Sequence, residues 1–243
     1  MIFADVRSKL TRDDVALAKR LIGDSGSAAA TEADSALRDR GVDGVLDDPR
    51  LLTALLRHDA GAHASLPLFA YVIVRHACLA VGEGDRVLAD YTASMWLHFG
   101  LRDRARRVAA RDDDHVDTLA EISAMMDGPD ARRAFLSRAH LGNYALWLSG
   151  VFPDHVEARK WRRGGPDLDY YETMGRRGYA AAARHRLAQE HGLEELFARA
   201  AEHFPLLRAA LNRISDSLLF PNHHTPERLM RQVRDEARWR LAS

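Results

Sequence analysis

The chain has 243 residues and no net charge, since 35 basic side chains balance 35 acidic ones. A chain of this length buries enough surface to fold without covalent links, and its single cysteine, Cys78, excludes both a disulfide framework and a thiolate zinc cage. A net charge of zero also argues against a dedicated binder of duplex nucleic acid, whose affinity depends on neutralising phosphates.

The charge is unevenly distributed along the chain. Residues 1–128 hold 16 basic and 21 acidic side chains, a net of −5, whereas residues 129–243 hold 19 and 14, a net of +5. Two such halves neutralise each other within one molecule or support the association of two copies. We therefore expect the C-terminal half to face anionic partners, and the same complementarity is compatible with a homo-oligomer.

Neither an export signal nor a membrane span is evident in the sequence. The segment Met1–Arg7 carries charge where an export signal needs an apolar stretch. The most apolar run, Leu66–Gly82, has Arg75 and His76 in its middle, so it predicts a core helix rather than a bilayer span. Together with the single cysteine, these features predict a cytoplasmic protein without membrane contact.

The pattern of apolar residues predicts an all-α fold, because they recur at spacings of three and four and no stretch alternates as a β-strand would. In the N-terminal part, Thr11 with Asp14 predicts a capped helix start. Asp48–Pro49 predicts a second start, with its helix running to about His58. Between these helices, the small and polar stretch Gly23–Ala30 predicts a loop.

The middle of the chain predicts a helical hairpin. Its arms are Leu66–Val81 and Arg86–Phe99, and the turn at Gly82–Asp85 is short enough to make them antiparallel. Further helices are expected near residues 101–110, 115–126, 130–150, 154–163, 167–190, 193–203, 206–219 and 226–241. The pattern thus predicts one all-helical domain over residues 1–243, a compact bundle of about ten or more helices. A subdomain seam is expected, where one exists, at Asp127–Pro129.

Four polar residues fall at one level of the predicted hairpin. Counting outward from the turn places Arg75 and His76 opposite Asp90 and Tyr91. In one interpretation they form a buried structural network, with Asp90 or Tyr91 satisfying His76. In the other they are the catalytic residues of an all-α enzyme with a buried cofactor, metal or substrate pocket, as in oxygenase-like bundles. The sequence does not identify a cofactor.

The segment Arg159–Glu172 concentrates basic and aromatic residues around a break in the helical pattern. Its two adjacent arginines have no acid four residues earlier, and Pro166 predicts a helix start whose free amides attract anions. The ligand-binding candidates are these arginines and three aromatic residues, Arg162, Arg163, Trp161, Tyr170 and Tyr171. They predict a surface for an anionic small molecule, an acidic protein partner or single-stranded nucleic acid. The other interpretation is a helix junction whose charges suit the two helix dipoles.

Acidic and histidine residues do not assemble a metal motif. Asp112–His115 could bind a hard cation, although the same residue types also cap helix starts. The pattern Asp113–Asp117 resembles the Asp-Asp-x-x-Asp diphosphate clamp of all-helical prenyl-transfer enzymes, but the chain has no second acidic motif. Neither Glu-x-x-His nor His-Glu-x-x-His is present, so no metal site is assigned.

The spacing of arginine and histidine resembles that of the HEPN-type helical ribonucleases, in which four to six residues separate the two. The pairs that fit are Arg57–His63, Arg133–His140, Arg184–His191 and Arg186–His191. Random placement of the 12 histidines and 32 arginines would give about five such pairs. A helical ribonuclease is therefore only a minor alternative.

Two helix faces predict tight packing. Gly175, Gly178 and Ala182 lie on one side of the predicted 167–190 helix, where small residues permit close approach of another helix backbone. The apolar side of the terminal helix is expected to dock onto the body of the protein or onto a dimer mate rather than a membrane, and it consists of Leu229, Met230, Val233, Ala237 and Leu241.

The residues together favour a binding or interaction module. In this interpretation the basic C-terminal half recognises an anionic ligand or an acidic protein surface. The alternative class is the all-α enzyme with its pocket around the polar hairpin residues.

Overall fold

A computed structural model describes residues 1–101, 104–109 and 115–242, with side chains described as far as Glu236. Within these residues the chain forms fourteen α-helices and no β-strand, which confirms the all-α prediction. In the same described part, none of the helices combines the length and apolar character needed to cross a bilayer.

The first four helices are α1 (Arg12–Gly23), α2 (Ser27–Arg40), α3 (Val42–Leu46) and α4 (Pro49–Arg57). Both predicted helix starts are confirmed: Thr11 and Asp14 form a capping box before α1, and the Asp48 carboxylate accepts a hydrogen bond from the Arg50 amide at 2.9 Å. The loop predicted over Gly23–Ala30 is confirmed only for residues 24–26, since α2 already begins at Ser27. A run of alanines after Gly26 favours the helix.

The predicted hairpin is confirmed as α5 (Leu66–Leu79) and α6 (Arg86–Gly100). Ser65 caps α5 by accepting a hydrogen bond from the Leu68 amide at 3.2 Å. Asp85 caps α6 by accepting one from the Val87 amide at 2.7 Å. These caps satisfy amides that have no partner inside their own helix, and they fix where each arm begins.

The remaining helices are α7 (Leu119–Ala124), α8 (Ala131–Val151), α9 (Pro153–Arg163), α10 (Leu168–Ala183), α11 (Arg186–Glu190), α12 (Glu194–Glu202), α13 (Phe204–Ile214) and α14 (Pro226–Ala242). The helix predicted over 167–190 is divided in two, because His185 leaves the helical conformation and its Nδ1 accepts a hydrogen bond from the Leu187 amide. Near 101–110, the described residues form only a 3-10 turn at Arg104–Arg106.

Helix α8 lies at the centre of the fold and is buried along most of its length. Helices α7, α10 and α13 pack against it, α13 also contacts α5, and α12 covers α10. The N-terminal helices α1 to α4 pack on one another and reach the hairpin through α4 and α5. A helix with apolar neighbours on several sides explains why the α8 sequence shows no single polar face.

The contact between α8 and α10 depends on two glycines that face each other. A Cβ atom at Gly178 would lie 2.6 Å from the Gly142 nitrogen and 2.9 Å from the Arg138 oxygen, closer than any side chain tolerates. A Cβ at Gly142 would enter the ring of Tyr179. The predicted close approach of a second backbone at Gly178 is therefore confirmed.

Helix α14 docks onto the body of the protein through its charged side. Among its side chains up to Glu236, the buried ones are Arg228, Arg231 and Asp235, whose partners are Asp154, Asp216 and Arg208 at 2.9, 2.8 and 2.8 Å respectively. The apolar residues Leu229, Met230 and Val233 face outward and are 62%, 70% and 61% exposed. The helix thus contacts the body as predicted, but these three apolar residues do not form that contact, and the side chains of Ala237 and Leu241 lie outside the described residues.

The glycine contact yields a stability prediction. Gly178→Ala is expected to lower the free energy of unfolding by about 1–3 kcal/mol, because the added methyl group forces α8 and α10 apart. The measurement is the unfolding midpoint in urea. Gly100→Ala is the matched control: it lies at the end of α6 with no atom within 4 Å of an added Cβ, so it should be neutral or stabilising. An unchanged midpoint for Gly178→Ala would contradict this packing.

Candidate anion-binding site

Arg75 joins three segments of the chain rather than forming a catalytic group with its hairpin neighbours. Its guanidinium donates to both carboxylate oxygens of Asp47, at 2.7 and 3.1 Å, and to the carbonyl of Gly84 at 2.9 Å. Asp47 also accepts a hydrogen bond from Arg86 at 2.7 Å. Arg75 is buried, and this paired geometry satisfies its charge.

His76 and Asp90 do not contact each other. The Nε2 atom of His76 lies 3.0 Å from the Leu46 carbonyl, and burial lowers the pKa of this imidazole. Asp90 accepts a hydrogen bond from the Arg7 amide at 2.9 Å, and burial raises the pKa of its carboxyl. The expected pairing of His76 with Asp90 or Tyr91 is therefore wrong, because each of them binds a different segment of the backbone or core.

Tyr91 belongs to a buried hydrogen-bonded triad that the sequence did not indicate. Its hydroxyl donates to the Asn143 side-chain oxygen at 2.7 Å, and the Tyr179 hydroxyl donates to the same oxygen at 2.8 Å. Burial raises the pKa of both phenols, so both remain protonated donors. Since Asn143 lies on α8, the triad ties α6 and α10 to the central helix.

A cleft elsewhere in the molecule collects the predicted basic residues. Helix α9 ends at Gly164, whose left-handed conformation (φ 63°) terminates the helix after Arg163. Arg159, Arg162 and Arg163 are spaced by three and four residues, so they lie on one face of its last turns. All three side chains are exposed and line this cleft, called here the arginine cleft.

The opposite walls of the arginine cleft come from distant parts of the chain. Arg106 and Asp117 contribute from the segment before α7, Tyr144 from α8 and Tyr171 from α10. The cleft has a volume of about 550 Å³. Four arginines and one aspartate line it, so its net charge is +3 when His155 is neutral. The aspartate, Asp117, lies 3.5 Å from Arg106.

Two tyrosines also line the cleft. Tyr144 and Tyr171 are almost fully buried except where they border the cleft, and burial raises the pKa of both phenols, while the charge of Arg159 acts in the opposite direction on each. Both phenols therefore remain protonated near neutral pH, and the Tyr144 hydroxyl donates its proton to the Asp117 carbonyl oxygen at 3.4 Å. Arginine guanidinium groups with the Tyr171 phenol beside them suit a phosphate or a carboxylate.

The arginine cleft includes three of the five predicted ligand-binding residues, namely Arg162, Arg163 and Tyr171. Trp161 is 71% exposed and lies outside it. Tyr170 also lies outside and packs edge-on against Tyr171, with ring centroids 6.0 Å apart. The sequence did not indicate Arg106, Tyr144 or the cleft position of Arg159. Of these three, only Arg159 could have been predicted, because its spacing from Arg162 and Arg163 places it on the same helix face.

The anion site expected at the start of the helix after Pro166 is wrong. Pro166 precedes α10, and Asp167 caps that helix by accepting a hydrogen bond from the Tyr170 amide at 3.0 Å. Lys160 lies 3.5 Å from the same carboxylate. A carboxylate of the chain therefore already occupies the end of α10 that was expected to attract an anion.

No group of three or more histidine, cysteine or acidic side chains suited to a metal occurs in the part of the chain that the structure describes. The acidic residues Asp112, Asp113 and Asp114 lie outside the described residues. Among known proteins, no family model matches the chain, and no curated protein or solved structure is similar to it. A functional conclusion therefore depends on the geometry and charge of the arginine cleft.

The environment of His76 predicts a specific pH dependence. Its pKa is lowered by burial from an ordinary value of 6.5, so the unfolded chain takes up the proton first as the pH falls. The folded state should therefore lose stability below about pH 6.5, by at most about 1.4 kcal/mol per pH unit from this group. In His76→Gln, this loss should be smaller when urea unfolding is followed from pH 7 to 5. His191→Gln, at an exposed position, should retain the wild-type slope.

The buried triad predicts a second change in stability. Tyr91→Phe should lower the free energy of unfolding by about 1 kcal/mol, because the Asn143 oxygen loses one of its two donors. Tyr71→Phe is the control, since the Tyr71 hydroxyl is also buried but has no hydrogen-bond partner among the described residues. It should be neutral or slightly stabilising in the same measurement. Equal losses for the two variants would contradict a structural role for the triad.

Proposed function

We propose that this protein binds an anionic small molecule in the arginine cleft. The observation that supports this most directly is that four arginines and two tyrosines from distant parts of the chain line one concave surface. They come from α8, α9, α10 and the segment before α7. Like charges gathered in this way repel one another, and an anion between them relieves that repulsion.

The size of the cleft and the kind of donors favour a phosphate or carboxylate group. A volume of about 550 Å³ is within the range of small-molecule sites. Arginine binds these groups with two parallel hydrogen bonds, which a solvated surface lysine does not provide. An acidic protein partner is less well suited, because Tyr144, Tyr171 and Arg159 line the wall of a concavity rather than a flat surface.

The competing enzyme hypothesis receives no support from the residues that motivated it. Arg75, His76, Asp90 and Tyr91 have separate partners in Asp47, the Leu46 carbonyl, the Arg7 amide and Asn143. A general acid–base pair needs its members within hydrogen-bond reach of each other or of a shared substrate. We therefore propose binding, and we assign no reaction to this group.

The test uses inorganic pyrophosphate as the probe and isothermal titration calorimetry as the measurement. We expect wild-type affinity to fall as NaCl is raised, because the cleft is open to solvent. The double charge reversal Arg162→Glu with Arg163→Glu should weaken binding at least tenfold, which corresponds to about 1.4 kcal/mol.

The matched control reverses the same number of charges at Arg177 and Arg184, two exposed positions on and just after α10 that do not line the cleft. This control keeps the net charge equal to that of the first double variant, so a general field effect would weaken both variants equally. Equal affinities in the two double variants, or the absence of pyrophosphate binding to the wild type, would overturn the proposal. Circular dichroism checks that both variants keep the helical fold.

A further inference from the structure

An apolar groove borders the arginine cleft. It has a volume of about 440 Å³, and its apolar lining consists of Phe152, Pro153, Ala158 and Phe220. Phe152 and Phe220 face each other with ring centroids 6.2 Å apart, and Trp147 packs edge-on behind Phe152 at 5.5 Å. Phe220 is 41% exposed. The groove is therefore an aromatic surface that is left partly open to water.

The groove and the arginine cleft lie along the same helix. Both are lined by His155 and Ala158, which are three residues apart and so share one face of α9. The apolar residues Phe152 and Pro153 lie at the start of α9, whereas the arginines lie at its end. A molecule lying along α9 would therefore meet an apolar surface at one end and a basic surface at the other.

The acidic residue of the groove does not present a free negative charge. Asp154 accepts hydrogen bonds from Arg228 at 2.9 Å and from Arg231 at 3.3 Å. The nearby His223 lies 3.8 Å from the same carboxylate. The groove is thus compatible with an apolar group, while the charge that would attract an anion lies in the adjoining cleft.

We infer that the ligand of the arginine cleft is an amphipathic anion, with a phosphate or carboxylate among the arginines and an apolar chain in the groove. This inference rests on the proposed function and adds to it that the ligand carries an apolar chain. The cleft alone accounts for attraction of the charged group. Removing an apolar chain from water into the groove supplies the part of the affinity that does not depend on charge.

The experiment compares the binding of inorganic phosphate with that of butyl, hexyl and octyl phosphate. Each compound is titrated into the full chain in a calorimeter. Affinity should rise along the series, by up to about fourfold for each methylene that the groove covers. Octanol, which carries no anion, should bind more weakly than octyl phosphate. Octanoate distinguishes the two head groups: whichever of octanoate and octyl phosphate binds more tightly identifies the preferred anion.

Two variants test separately where the alkyl chain and the phosphate group of the ligand bind. In the wild type, octyl phosphate should bind more tightly than inorganic phosphate. Phe220→Ala should reduce this ratio of affinities at least fivefold and leave the affinity for inorganic phosphate unchanged. The control, Leu229→Ala, removes an exposed apolar side chain of α14 outside the groove and should keep the wild-type ratio. The double variant Arg162→Glu with Arg163→Glu should weaken every phosphate in the series.

The outcomes separate this inference from the function on which it rests. If phosphate binds but the affinity does not rise with chain length, the amphipathic ligand is wrong and the anion site stands. If the affinity rises equally in wild type and Phe220→Ala, the chain does not lie in the groove and the inference is also wrong. If neither pyrophosphate nor any member of the series binds, the proposed anion site itself is overturned.

Discussion

The arrangement of the core depends on the contact between Gly142 and Gly178. With no side chain at either position, α8 and α10 approach until their backbones touch, and the ring of Tyr179 covers Gly142. The Tyr179 hydroxyl then reaches the Asn143 oxygen, which also receives the Tyr91 hydroxyl from α6. The same crossing brings Tyr144 of α8 and Tyr171 of α10 together in the wall of the arginine cleft. The core contact and the candidate site therefore belong to the same helix–helix interface.

Outside this core, charged groups join the helices. Asp47 accepts hydrogen bonds from Arg75 of α5 and Arg86 of α6, and Arg208 of α13 is paired with Asp235 of α14. Removing arginine from water is expensive, and these pairs offset that expense only because each guanidinium meets a carboxylate at hydrogen-bond distance. A buried pair adds little stability over an apolar one, but it accepts only one alignment of its helices. The peripheral helices are thus held in place by specific pairing and the central ones by close packing.

Features that depend on residues close together in the chain were predicted from the sequence. The capping box at Thr11, the cap at Asp48 and the hairpin of α5 and α6 were all predicted, because each depends on residues a few positions apart. The start of α2 was missed because its first residues are small and were assigned to the preceding loop, although alanine favours a helix. The break at His185 was missed because a single capping residue decides it. At the site, Arg162, Arg163 and Tyr171 were predicted from one segment. Arg106 and Tyr144 were not, because packing of distant helices brings them there. The orientation of α14 was unpredictable for a related reason: periodicity identifies an apolar side, not what covers it.

The attachment of α14 also bears on the arginine cleft, because both depend on α9. Asp154, in the first turn of α9, accepts the hydrogen bonds of Arg228 and Arg231, whereas Arg162 lies eight residues later and hence about 12 Å further along the helix. Fixing one end of a helix restricts the motion of the other. The guanidinium groups of the cleft are therefore carried by a supported helix rather than by a loop. An anion that enters meets donors whose backbone is already ordered, so less conformational entropy is lost on binding.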